Sequence, residues 1–139
     1  MNQYHFYEIS VGQTVEFFFD IDEQKMEMFK VISGDNNPLH NDRDYAAECG
    51  YEERVVYGQL TAAALSTLAG VYLPGKYSLI HSIETSFVSP VFISKCPLRV
   101  VAKVKEKDER FNLITLRFDI YDSDEAKVCK GKMKIGVIK

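Results

Sequence analysis

The segment from Ser33 to His40 contains the residue types that can move protons. It reads Ser-Gly-Asp-Asn-Asn-Pro-Leu-His, so the carboxylate of Asp35 and the imidazole of His40 share one short loop. Asn37 and Pro38 restrict the backbone of this loop, which allows two titratable groups to be held at a fixed separation. Two such groups can hold one water molecule and divide the acid and base roles between them.

The same loop has simpler explanations, which stay open at this point. An Asp that follows a glycine at a helix end is often an Asx-turn residue, and a single His in a loop is often structural. A metal site is a third explanation, because four possible oxygen ligands lie close together: Asp35, Asn37, Asp42 and Asp44. These residues do not match the calcium-loop pattern, since Leu39 occupies a ligand position and no glycine follows at the turn. We therefore expect no metal.

Composition limits the other functional classes. The 139 residues fit a single domain spanning 1–139, and the 46% of hydrophobic residues can form a core without disulfides or metal. A net charge of −3 argues against a general nucleic-acid binder. The three cysteines form no CxxC pair and are odd in number, which favours a reducing, cytoplasmic location. No Ser or Cys lies in a recognisable nucleophile motif.

The first half of the chain predicts a strand followed by helices. Residues Thr14 to Asp20 are rich in aromatic and β-branched types, which is typical of a strand. A helix should follow, capped by Asp20 or Asp22 and ending at Gly34. Its predicted inner face holds Met26, Phe29 and Ile32. A second, shorter helix is expected from about Arg43 to Cys49, ending at Gly50. We expect a loop between these two helices.

The second half predicts one apolar helix and four strands. Residues 59–73 are apolar on nearly every side and too few to span a membrane, so we expect an enclosed helix. After this helix, apolar and polar residues alternate with a period of two, as in half-buried strands. The alternating segments begin near Ile80, Leu98, Ile114 and Cys129. This order predicts an α+β domain, with an antiparallel sheet wrapped around a long central helix. Since such a sheet remains half covered, we expect it to pair with a second copy in a homodimer or a higher homo-oligomer.

Several motifs together resemble a known family. The run from Phe29 to His40 is followed by Asp-Tyr-Ala-Ala at 44–47 and Val-Val-Tyr-Gly-Gln-Leu at 55–60. These segments resemble the MaoC-like dehydratases and the (R)-specific enoyl-CoA hydratases, which carry the hydratase-2 motif. The segment Phe-Val-Ser-Pro-Val-Phe at 87–92 is also similar to a strand of that family. The resemblance covers roughly residues 8–138 and implies a hot-dog fold.

The resemblance implies roles for individual residues. Asp35 and His40 match the catalytic pair that holds the reacting water. Gly58 matches the glycine whose backbone N–H binds the thioester oxygen. Ser66 matches a serine that supports this arrangement, although it also has the simpler reading of a hydroxyl bonded back to the Ala62 carbonyl. Asn37, with Pro38, matches the residues that shape the loop.

The chain departs from the family pattern at three places. Tyr57 stands where relatives often have His, and Gln59 stands where they often have Met. Ser94-Lys95 replaces the Gly-Asp that many relatives have after Pro-Val. None of these changes removes a catalytic group. We expect Tyr57 and Gln59 to contribute to substrate binding and to alter the acyl pocket, so the length of the acyl chain stays open.

The implied activity is a hydratase or dehydratase, a carbon–oxygen lyase of fatty acid metabolism. It would interconvert a trans-2-enoyl thioester and an (R)-3-hydroxyacyl thioester. No cofactor is expected apart from the substrate's own CoA or acyl-carrier phosphopantetheine, and no nucleic-acid or membrane partner. The alternatives are a 3-hydroxyacyl-carrier-protein dehydratase, a hot-dog thioesterase, a non-catalytic acyl-thioester binding module and a purely structural dimeric subunit.

Overall fold

The computed structural model describes all residues from 1 to 139. It contains five strands, which are β1 (Thr14–Phe19), β2 (Ser78–Phe87), β3 (Leu98–Asp108), β4 (Leu113–Tyr121) and β5 (Lys127–Val137). The helices are α1 (Glu23–Ser33), α2 (Pro38–Asn41), α3 (Arg43–Glu48), α4 (Gly58–Ala62) and α5 (Ala64–Thr67), and a π-helical turn, Leu68–Tyr72, follows α5. We refer to the continuous helical segment 58–72 as the central helix.

The five strands form one antiparallel sheet in the order β1-β3-β4-β5-β2. Strand β4 shows the predicted alternation, because Ile114, Leu116, Phe118 and Ile120 are buried and the residues between them are more exposed. One face of the sheet therefore faces the core, and the other carries polar side chains. The predicted order of strand, helices, apolar helix and four strands is confirmed.

The central helix packs on the inner face of the sheet through Leu60, Leu65 and Leu68, which join the strand residues in one hydrophobic core. Burial of each such leucine contributes roughly 1.5–3 kcal/mol. The prediction that this helix is enclosed on every side is wrong. Gln59, Ser66 and Ala63 form an exposed stripe, because the sheet of a single chain covers only one side of the helix.

Helix α1 begins and ends as its sequence predicts. The side chain of Asp22 accepts a hydrogen bond from the N–H of Lys25, and Gly34 ends the helix with a left-handed φ of 72°. Met26 is buried, but Ile32 is 78% exposed, which contradicts the predicted inner face. Met26, Phe29 and Ile32 are spaced three residues apart, and each such step turns the helix by about 60° less than a full turn. Ile32 therefore lies about 120° around the helix from Met26, away from the core.

The apolar central helix is not a membrane span. None of the helices combines the length and hydropathy that crossing a bilayer would require.

Candidate active site

A cleft of about 220 Å³ lies between α2, the first turn of the central helix and the end of β2. Most of its wall is apolar, and the polar side chains that reach it are few. Its lining residues are His40, Val55, Val56, Gly58, Thr61 and the segment 87–91. An apolar cleft with a few convergent polar groups is the usual form of a small-molecule site.

His40 enters this cleft from α2 in a defined orientation. Its Nδ1 lies 2.6 Å from the carbonyl oxygen of Val55. A carbonyl can only accept, so Nδ1 carries the hydrogen and Nε2 of the neutral ring keeps its lone pair. The ring also stacks on Tyr57, with 4.2 Å between centroids. The hydrogen bond to the Val55 carbonyl sets the tautomer of His40. That hydrogen bond and the stacking together set the orientation of the ring.

Asp35 lies on the loop that leads from α1 to α2. Its N–H donates to the hydroxyl oxygen of Ser33 at 3.1 Å, and its Oδ1 accepts from the N–H of Asn37 at 3.0 Å. The Asx-turn explanation is therefore true of Oδ1, whereas Oδ2 makes no hydrogen bond within the chain. Asp35 is exposed and does not line the cleft in the single chain.

The predicted loop between α1 and α3 contains the short helix α2, which sequence reasoning missed. Asn37 caps this helix, since its side-chain oxygen accepts from the N–H of Leu39 at 2.9 Å. Pro38 occupies its first turn, where the absence of an N–H is tolerated. The signal was present in the sequence as an Asn-Pro pair, which starts helices as well as turns. Asn37 itself is exposed and shapes the backbone rather than the cleft wall.

Tyr57 does not line the cleft, although we expected it to contribute to the acyl pocket. It is 2% exposed and is not among the residues that line the cleft. Its hydroxyl donates to the backbone oxygen of Asp35 at 2.8 Å and accepts from Nδ2 of Asn41 at 3.1 Å. Since its ring also stacks on His40, Tyr57 contacts both members of the predicted pair.

Gly58 lies in close contact with a neighbouring side chain and does not form an unusual turn. Its φ is outside the left-handed range, but a Cβ at this position would lie 3.2 Å from Cε1 of Phe87. The N–H groups of Gly58 and Gln59 begin the central helix and make no hydrogen bond within the chain. A ligand in the cleft therefore meets a backbone donor at Gly58.

Thr61 is the cleft residue that the sequence analysis missed. It is 1% exposed, and its hydroxyl has no hydrogen-bond partner. A threonine in an apolar helix usually bonds back to a carbonyl of the preceding turn, so the sequence carried no signal for an unpaired hydroxyl.

Comparison with known proteins assigns the family. The model of the MaoC-like domain matches residues 7–121. The chain belongs to the MaoC-like domain family. The predicted membership and hot-dog fold are confirmed. The chain is 29% identical to the solved (R)-hydratase from A. caviae involved in PHA biosynthesis, with a TM-score of 0.87, and the match covers 93% of this chain and 97% of that one.

Two curated relatives are (R)-specific enoyl-CoA hydratases. The protein from Aeromonas caviae is 36% identical over 85 residues, which are 61% of this chain and 63% of the relative. The protein from Rhodospirillum rubrum is 31% identical over 90 residues, which are 65% of this chain and 62% of the relative. The matched part thus spans a little over three fifths of each of these relatives.

In this MaoC-like domain, two further predicted site residues lie outside the cleft. Ser66 and Gln59 are exposed on the open stripe of the central helix. The hydroxyl of Ser66 does not bond back to the carbonyl of Ala62 or to any other group of the chain. Their assigned roles stay predictions.

The cysteines do not offer a nucleophile to this cleft. All three are free, and none lines it. Burial raises the pKa of Cys96 to about 11. Burial likewise raises the pKa of Cys129, whose thiol lies 2.9 Å from the hydroxyl of Thr85. Both thiols stay protonated near neutral pH, which makes them poor nucleophiles.

Proposed function

We propose that this protein interconverts a trans-2-enoyl thioester and an (R)-3-hydroxyacyl thioester, with a water held by Asp35 and His40. One observation carries the proposal. His40, whose Nε2 makes no hydrogen bond within the chain, and Gly58, whose N–H is also unpaired, line the same apolar cleft. The activities of the curated relatives agree with this reading.

His40 is suited to accept a proton from water. Its Nδ1 is committed to the Val55 carbonyl, so only Nε2 can act as the base. Oδ2 of Asp35 would accept a hydrogen bond from the second proton of the same water, which remains on the product as the 3-hydroxyl hydrogen. As oxygen adds to C3, the proton on His40 passes to C2. One water thus supplies both the hydroxyl group at C3 and the hydrogen at C2, and His40 returns to its starting state.

Addition at C3 pushes negative charge onto the thioester oxygen, and this charge needs a donor. The N–H of Gly58 is free and lies at the cleft wall. Because this position lacks a Cβ, the ring of Phe87 packs closely against it, and a bound acyl thioester would displace the remaining water. A fixed donor in a site that excludes water stabilises such an oxyanion strongly.

The carrier, location and assembly belong to the same proposal. The acyl group arrives on CoA or on carrier-protein phosphopantetheine, and no other cofactor takes part. A cytoplasmic location agrees with the three unpaired cysteines.

The protein acts as a homodimer, because β2 is an edge strand with apolar side chains exposed along it: Leu79, Ile80, Ile83 and Phe87.

The test is hydration of crotonyl-CoA, followed as loss of the absorbance of the conjugated thioester. Asp35→Asn and His40→Ala should each lower the rate by about a hundredfold to ten-thousandfold, since His40→Ala removes the base and Asp35→Asn removes the carboxylate that holds the water. Asp44→Asn and His5→Ala remove the same chemical groups elsewhere and should retain full activity. Circular dichroism checks that all four variants fold. Wild-type rates in Asp35→Asn or His40→Ala would refute the assigned roles.

The same samples separate the alternative functions. A thioesterase would release free CoA thiol, which a chromogenic disulfide detects, whereas hydration releases none. A binding module or a structural subunit would leave every enoyl-CoA unchanged. Parallel assays with crotonyl groups on CoA and on a carrier protein would identify the preferred carrier.

A further inference from the structure

The hydroxyl of Thr61 is a buried polar group without a partner. Thr61 is 1% exposed, and its Oγ1 makes no hydrogen bond within the chain. The carbonyl of Tyr57, its usual partner one turn back, already accepts from the N–H groups of Leu60 and Thr61. A buried hydroxyl left unpaired destabilises a fold, so such groups call for a specific explanation.

The position of Thr61 connects this hydroxyl to the candidate active site. Thr61 lines the cleft together with His40 and Gly58, and Val55 and Val56 contribute apolar wall. Thr61 follows Gly58 by three residues in the same helix, so both lie on one face. Helical side chains lean toward the N-terminus, which carries the hydroxyl of Thr61 back over the turn that begins with Gly58.

A ligand that brings a polar acceptor to this point would therefore give the hydroxyl the partner that it lacks. The remaining wall is largely valine, proline and phenylalanine, which suits an acyl chain and cannot pair with a hydroxyl. The N–H of Gly58 and the O–H of Thr61 are two donors one helical turn apart. Two donors on one face of a helix, one turn apart, can reach the same acceptor oxygen, such as that of a thioester carbonyl.

We propose that Thr61 donates a hydrogen bond to the thioester oxygen of the bound substrate, beside the backbone N–H of Gly58. This inference rests on the proposed function and adds a side-chain donor to it. The hydroxyl is unpaired in the free protein and gains its partner only when an acyl thioester binds. Thr61 is thus a substrate-contacting residue that helps to hold the charge formed during hydration.

Two variants isolate the hydroxyl. Thr61→Val replaces it with a methyl group of similar volume, and Thr61→Ser keeps it. For crotonyl-CoA we expect Thr61→Val to lower kcat by about tenfold to a thousandfold with a smaller change in KM, because the bond strengthens as charge develops. Thr61→Ser should restore most of kcat. The Tm of Thr61→Val should equal or exceed that of wild type, since no protein bond is lost.

A second readout does not need turnover. Butyryl-CoA with a ¹³C-labelled carbonyl cannot be hydrated, and the infrared stretching frequency of its carbonyl reports the hydrogen bonds that it accepts. We expect binding to wild type to lower this frequency, and Thr61→Val to reverse part of that shift while Thr61→Ser keeps it. A fall in kcat without the frequency change would mean that Thr61 shapes the cleft only, which would overturn the proposal.

The outcomes distinguish this inference from the function on which it rests. If wild type hydrates crotonyl-CoA and Thr61→Val matches it in kcat and carbonyl frequency, the role of Thr61 is refuted and the proposed function stands. A large fall in the Tm of Thr61→Val would show that the hydroxyl has a structural partner, which also refutes the inference. If wild type neither hydrates crotonyl-CoA nor binds butyryl-CoA, both proposals fail.

Discussion

Among single residues, Tyr57 links the two members of the proposed acid–base pair. Its ring stacks on His40, and its hydroxyl holds the backbone of Asp35 and the side chain of Asn41. The Asp35 loop is otherwise exposed, so this buried phenol is its main connection to the core. Tyr57 is therefore a positioning residue, because it acts on the pair without lining the cleft.

Tyr57→Phe should separate positioning from packing. The ring remains beneath His40, but the hydrogen bonds of the hydroxyl to Asp35 and Asn41 are lost. We expect the free energy of unfolding in urea to fall by about 1 kcal/mol, as for a typical hydrogen bond. The kcat for crotonyl-CoA should fall by about tenfold or more, because a misplaced catalytic group lowers the rate steeply.

Tyr45→Phe provides the matched control for this variant. The side chain of Tyr45 is 40% exposed, and its hydroxyl makes no hydrogen bond within the chain. Both its stability and its kcat should equal those of wild type. If Tyr57→Phe also behaves as wild type in both measurements, the hydroxyl does not hold the Asp35 loop.

The sequence predicted the site residues unevenly, for a physical reason. Asp35, His40 and Gly58 were identified because their types and spacing match a motif. The roles of Tyr57 and Thr61 depend on three-dimensional context, since one bonds a backbone carbonyl distant in sequence and the other lacks a partner. Side-chain type does not reveal which backbone group will lie nearby after folding.

Among the secondary structure elements, the close approach of β2 and β5 depends on Gly131. A Cβ at this position would lie 1.8 Å from the carbonyl oxygen of Glu84, which belongs to the backbone of β2 and cannot rotate away. The same Cβ would lie 2.9 Å from Cζ of Phe118 on β4. The absence of a side chain at Gly131 on β5 therefore allows β2 and β4 to pack closely against it.

Gly131→Ala should destabilise the fold substantially. Either β2 moves or the ladder between β2 and β5 opens, and overpacking of this kind costs about 1–3 kcal/mol or more. Gly70→Ala is the control, because the nearest atom to its new Cβ is the hydroxyl oxygen of Ser78 at 3.9 Å. Alanine in a helix is favoured over glycine, so Gly70→Ala should keep or raise stability. Urea unfolding followed by circular dichroism compares them, and equal midpoints would contradict this account.

Periodicity predicted the sheet well and the helices less completely. Strand β4 was recognised because one of its faces is buried and the other is solvated, which gives a clear alternation. The short helix α2 and the π-helical turn after α5 were missed, since both are shorter than the window over which a helical period is visible. Ile32 was misplaced because an apolar residue at a helix end need not face its own core.

At the scale of the whole molecule, the two faces of the sheet differ in character. The inner face is the core, whereas the outer face holds five cations and two carboxylates with no apolar side chain among them: Lys105, Arg117, Lys130, Lys132, Lys134, Glu84 and Glu106. Two faces with this excess of positive charge would repel each other, so we do not expect a second copy to stack there. The apolar residues of β2 lie at the free edge instead, where strands of two copies can pair.

We therefore expect light scattering after size-exclusion chromatography to give twice the 15.9 kDa mass of the chain. Ile83→Lys places a charge on the β2 edge, where Ile83 is 43% exposed, and should shift the mass toward that of one chain. Val11→Lys introduces the same charge at a residue that is 61% exposed before β1, at the opposite edge of the sheet, and should leave the mass unchanged. Because Phe87 ends the same strand and packs on Gly58, Ile83→Lys should also slow hydration of crotonyl-CoA. A monomeric wild type, or a dimeric Ile83→Lys, would exclude pairing through β2.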